Sequence, residues 1–149
     1  MSLVMIVDDE ADIRRILGRW IVAAGHEVAE AATAAAALDV LATRPADVAL
    51  CDVQMPGDRD GLWLTTELRR RYPSLAVVLV TGVSTVPPVI SLQSGVAAYL
   101  LKPFERVALL EAVASAVTWH ENAKAAGPPP DDTADRLSGW LESIESTGL

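Results

Sequence analysis

Residues 47–61 read DVALCDVQMPGDRDG. The apolar run over 47–51 stops at Asp52, and Met55-Pro56-Gly57-Asp58-Arg59-Asp60-Gly61 is a loop by composition. Helical spacing then starts at Leu62. After Asp47 the run is apolar throughout instead of alternating with polar residues. That is the pattern of a strand in a sheet covered on both faces.

The same unit recurs on either side. Residues 3–7 form a run that ends at Asp8, Asp9 and Glu10. Residues 76–80 end at Thr81-Gly82, and residues 97–101 end at Lys102-Pro103. Residues 27–31 read as a weaker strand. Helical segments separate them. Over 11–24, Ile13, Ile16, Leu17, Trp20 and Ile21 share a face, and Gly25 provides the stop. Thr33 is placed to cap a helix over 34–43 with Leu38 and Leu41 inward. Residues 62–72 turn Leu64 and Leu68 inward, and Arg69-Arg70-Arg71 reads as a solvated helix end. A short neutral helix is predicted near 86–94, with Pro87 in its first turn. The last long helix, 105–125, has Val107, Leu110, Val113, Ala114 and Val117 as its stripe. Five β-α units in succession predict an α/β fold, a doubly wound, five-stranded parallel sheet.

The chain has 149 residues, enough for one full core over residues 1–126. Residues 127–132 are a proline-rich linker. Residues 133–144 can form one short amphipathic helix through Leu137, Trp140, Leu141 and Ile144, read as a docking element or the start of a truncated output region. Twenty acids against 12 bases argue against direct nucleic-acid binding by this segment. One cysteine excludes an internal disulfide. Cys51, in a buried run, reads as a small hydrophobe, and His26 and His120 read as surface residues. No signal peptide precedes the first acids, so the expected compartment is the cytoplasm. Residues 74–101 carry no charge, but Gly82, Pro87-Pro88, Gln93 and Gly95 interrupt them, so no membrane span is expected.

Asp8, Asp9, Asp52, Thr81 and Lys102 all fall at strand ends. In an open parallel sheet the crevice lies at those carboxyl ends, so four separate parts of the chain meet at one rim. Three carboxylates repel unless a cation joins them, and a hard divalent ion, Mg²⁺ above all, suits oxygen ligands. With Lys102, a Thr81 hydroxyl and the room left by Gly82, this is a site for phosphoryl transfer onto a carboxylate.

From Val4 to about Ala125 the sequence resembles the receiver domain of two-component response regulators. The resemblance rests on Val7-Asp8-Asp9-Glu10, Asp52-Val53-Gln54-Met55-Pro56 with Asp60-Gly61, Val80-Thr81-Gly82, and Lys102-Pro103-Phe104. It implies a flavodoxin-like (βα)5 sheet of order 2-1-3-4-5. It implies Asp52 as phospho-acceptor and Mg²⁺ held by Asp9, Asp52, the Gln54 backbone carbonyl and, through water, Asp8. Lys102 would bind a phosphoryl oxygen, and Thr81 with Tyr99 would form the switch. The implied partner is a sensor histidine kinase or phosphotransfer protein. The implied output face is formed by the helix near 86–94, the strand 97–101 and the helix 105–125, and it also serves a homodimer. Such a domain assists only its own phosphorylation and dephosphorylation. Val83 stands where the family places a polar residue that orients attacking water, which predicts a long-lived phosphoryl group. Two departures stand out: the loop 56–60 is one residue longer than the usual pattern, and the stretch 81–95 is about one shorter.

The alternative is a Mg²⁺-dependent aspartyl-phosphate phosphohydrolase of the haloacid-dehalogenase type. Those proteins place the nucleophile on the first strand in a D-x-D pattern. Here the acidic pair comes first, and Gln54 stands two residues after Asp52.

Overall fold

The computed structural model describes residues 2–57, 59–82 and 96–126. The helix expected near 86–94, Val83, Pro87-Pro88 and the whole of 127–149 lie outside the described residues. The strands are β1 (Leu3–Val7), β2 (Glu27–Ala31), β3 (Val48–Asp52), β4 (Ala76–Thr81) and β5 (Val96–Leu101). The helices are α1 (Ala11–Ala23), α2 (Ala34–Thr43), α3 (Gly61–Arg71) and α4 (Arg106–Ala125). The sheet runs β2-β1-β3-β4-β5 with every pairing parallel.

Alternation along each strand sorts side chains onto two cores. Met5, Val7, Ala49, Cys51 and Leu79 meet Ala37 and Leu41 of α2 and Leu64 and Leu68 of α3. Val4, Ile6, Leu50, Val78 and Val80 meet Leu17 and Ile21 of α1 and Leu109 and Val113 of α4. β1, β3 and β4 are therefore buried on both faces, as their uninterrupted apolar runs require. Each fully buried aliphatic side chain contributes about 1.5–3 kcal/mol.

The caps follow local chemistry. Thr33 accepts from the Ala36 N–H, and Asp60 accepts from the N–H groups of Leu62 and Trp63. α1 ends where Gly25 turns left-handed at φ 97°, with Gly25 N–H on the Val22 carbonyl and His26 N–H on the Ile21 carbonyl.

Four sequence expectations need correction. Ile16, assigned to the inward face of α1, is 43% exposed. On α4 the buried stripe is Leu109, Ala112, Val113 and Ala116, while Val107 is 63% exposed. That helix is apolar on several sides, so its sequence allows more than one inward face, and the fit to the sheet selects one. Arg69 is not solvated: its guanidinium donates to the carbonyls of Tyr72 (3.1 Å), Pro73 (2.7 Å) and Leu75, and lies over the Trp119 ring. His120 is not a surface residue either. It sits at the amino ends of β3 and β4 with Nδ1 2.6 Å from the Ser74 carbonyl and Nε2 3.1 Å from Asp47 Oδ1. Among the described residues no helix is long and apolar enough to cross a membrane.

Candidate functional site

Parallel pairing brings the ends of β1, β3, β4 and β5 to one rim. β1 pairs Val7 with Cys51, so Asp8 and Asp52 follow side by side. β3 pairs Asp52 with Val80, and β4 pairs Thr81 with Leu101, which sets Lys102 in line. Lys102 N–H donates to the Thr81 carbonyl at 2.7 Å, and the Lys102–Pro103 peptide is cis.

Asp8 and Asp52 are buried, at 2% and 5% exposure. Each is held twice. Asp8 Oδ1 accepts the Glu10 N–H at 2.9 Å, and Asp52 Oδ1 accepts the Gln54 N–H at 3.0 Å. The second oxygen of each faces Lys102 Nζ, at 3.3 Å from Asp8 Oδ2 and 3.4 Å from Asp52 Oδ2. Asp9 is exposed and completes the group: one oxygen from each of Asp8, Asp9 and Asp52 lies within 4.8 Å of the others. One ammonium cannot offset three carboxylates, so the donor set suits a divalent cation with oxygen ligands.

The electrostatics follow from this packing. Burial raises the Asp52 carboxyl above its usual range, and the Asp8 charge adds to the rise. The Gln54 N–H and the Lys102 ammonium pull it down without cancelling the shift. Burial works against the charge on Lys102, but Asp52 and Asp8 outweigh it and raise the amine above its ordinary value. Cys51, next to the acceptor candidate, is fully buried, and its thiol is pushed up to about 12 by burial and by the Asp52 charge. It is an inert core residue.

The expected site residues come together in part. Asp8, Asp9, Asp52 and Lys102 form one cluster. Thr81 is buried at the end of the next strand. Gln54 is exposed and contributes its N–H to Asp52. Tyr99 is on β5, opposite Leu79 and 37% exposed. Among the described residues, a Cβ on Gly82 would meet Gln54 Oε1 at 3.9 Å.

Two contributors were not singled out from sequence. Arg14 Nη1 donates to the Asp8 carbonyl at 2.6 Å, and its Nε lies 3.4 Å from Glu30 Oε1, so it braces the turn that carries both aspartates. The only signal was an arginine in the first turn of the helix that follows the acidic pair. Gly61 starts α3 against β3, where an added Cβ would lie 2.1 Å from the Asp52 carbonyl oxygen. The Asp-Gly pair was visible in sequence, but the contact was not.

Comparison with known proteins agrees with this geometry. Residues 4–114 match the response regulator receiver domain family. The chain is 40% identical over 112 residues to the response regulator protein FleR of Pseudomonas aeruginosa, covering 74% of this chain and 24% of FleR. It is 39% identical over 114 residues to the DNA-binding transcriptional regulator NtrC of Escherichia coli K12, again covering 74% and 24%. The matched part is thus about a quarter of those relatives. Among solved structures, a CheY-like receiver domain protein of Methanospirillum hungatei superposes with a TM-score of 0.75 at 29% identity, covering 82% of this chain and 98% of that one. The response regulator TrrA of Thermotoga maritima, solved in complex with Mg²⁺-BeF, gives 0.71 at 27% identity, covering 78% and 99%. The family match spans most of the chain, and the sheet order and the acidic pocket agree with it: this chain belongs to the response regulator receiver domain family.

Proposed function

We propose that this receiver domain accepts a phosphoryl group on Asp52 from the phosphohistidine of a sensor kinase or phosphotransfer protein. The observation that carries the reading is the buried Asp8–Lys102–Asp52 bridge with Asp9 beside it.

Asp52 supplies the nucleophilic oxygen. Its bond to phosphorus forms as the donor's phosphorus–nitrogen bond breaks, and that electron pair leaves with the imidazole. The Gln54 N–H holds one Asp52 oxygen and so orients the carboxylate. Lys102 exchanges its contact with the carboxylate for one with a phosphoryl oxygen. The Thr81 hydroxyl, at the neighbouring strand end, donates to another. Held by Asp9, Asp52, the Gln54 carbonyl and, through water, Asp8, Mg²⁺ would supply the positive charge that neutralises the phosphoryl oxygens. The Mg²⁺-BeF complex of TrrA supports this choice of ion.

Movement of Thr81 toward the phosphoryl group is felt at Tyr99 and changes the surface around β5, which controls an output or a homodimer. Tyr99 and Leu101, at 37% and 47% exposure, give that surface an apolar character. The test is incubation with acetyl phosphate and Mg²⁺, followed by intact-protein mass measurement. One phosphate should be added to the parent and none to Asp52→Asn. Equal labelling of both proteins would overturn the assignment.

A further inference from the structure

A groove of about 480 Å³ runs between α1 and the edge strand β2. Val22, 58% exposed, and Val28 make it apolar, and Gly18 leaves it open above Val28 and Ile6. Arg14, Arg15 and Arg19 line it as well. Arg14 is engaged with the Asp8 carbonyl and with Glu30, the acid of this groove. Among the described residues, Arg15 has only a surface pair with Asp12, and Arg19 has no ion pair. This cationic rim around exposed valine stands on a chain of net charge −8.

We propose that the groove holds residues 137–145 of this same chain. They read LSGWLESIE, two acids and no base, and the six residues before them, DDTADR, add three acids and one arginine. Leu137, Trp140, Leu141 and Ile144 fall at helical spacing, a pattern that gains helix by packing its apolar side on another surface. Acidic and apolar residues together match a cationic rim on an apolar floor.

The reach is sufficient. α1 and α4 pack on the same side of the sheet, both antiparallel to the strands, so they end at the same side of the molecule. Neighbouring helices lie about 8–10 Å apart, which puts the far side of α1 roughly 20 Å from the end of α4. The ten residues 127–136, GPPPDDTADR, can span at most about 33 Å when fully extended.

The test uses the full chain carrying Ser143→Cys with a nitroxide label. Cys51, buried with its thiol at about 12, stays unlabelled. The amide signals of Gly18, Val22 and Val28 should lose at least half their intensity relative to the reduced label. The loss should be absent when spin-labelled chain is mixed with separate isotope-labelled chain. In the double variant Arg15→Glu/Arg19→Glu the signals should recover at least twofold, with the remaining spectrum native. No broadening at α1–β2, broadening centred on another face, or equal broadening in the mixed sample, which means a second copy, would each overturn the proposal. Broadening that survives the charge reversal would do so too.

Discussion

At the residue scale, the chemistry of the pocket comes down to two buried carboxylates sharing one ammonium. Burial raises the Asp52 carboxyl, so ionising it opposes folding. A group whose folded value is raised gives its full stability below its unfolded value and loses it as pH rises through the folded one. In metal-free buffer, Asp52→Asn should therefore unfold at a higher temperature than the parent at pH 7. The two midpoints should converge below about pH 3.9, the ordinary aspartate value. A midpoint for Asp52→Asn below the parent's at pH 7 would contradict this. Gly61 is the other sensitive position. Gly61→Ala forces a methyl onto the Asp52 carbonyl and should cost about 1–3 kcal/mol in urea unfolding, with impaired phosphorylation because the acceptor strand must shift.

At the scale of elements, the caps and stops read well from sequence because they are local chemistry. Thr33 and Gly25 behave as their residue types predict. Asp60 accepts two N–H groups at the start of α3, so Asp60→Ala should cost about 1 kcal/mol in urea unfolding. The inward face of a helix is a different matter. The α4 sequence is apolar at Val107, Leu109, Leu110, Ala112, Val113 and Ala114, and periodicity alone does not choose among these rows. Contact with Leu50, Val78 and Val80 chooses Leu109, Ala112, Val113 and Ala116.

For the whole molecule, the two ends of the sheet do different work. The carboxyl end holds the acidic pocket. The opposite end is tied by Asp47, which accepts the Leu3 N–H at 2.8 Å and faces His120, and by Arg69 across the turn after α3. His120→Ala leaves Asp47 and the Ser74 carbonyl without that partner and should cost about 1–2 kcal/mol in urea unfolding. Phosphorylation by acetyl phosphate should be unchanged, since the site lies at the other end. Ligand linkage gives a further prediction. Millimolar Mg²⁺ should raise the thermal midpoint of the parent, and Asp9→Ala, which removes one oxygen ligand and one repelling charge, should abolish that rise while raising the metal-free midpoint. A parent midpoint that ignores Mg²⁺ would contradict the site.

The sequence by itself determined the β-α alternation, the parallel sheet and the placing of Asp8, Asp9, Asp52, Thr81 and Lys102 at strand ends. Those features rest on local propensities and on runs buried from both sides, which leave a plain mark on composition. Tertiary structure alone decided that Lys102 bridges Asp8 to Asp52, that Arg14 grips the Asp8 carbonyl, that Gly61 must lack a side chain, and that His120 and Arg69 turn inward. Each depends on a contact between residues that the fold brings together, in most cases from different elements. No spacing along the chain encodes such a distance, and a polar side chain at a helix end looks the same in sequence whether water or a carbonyl receives it.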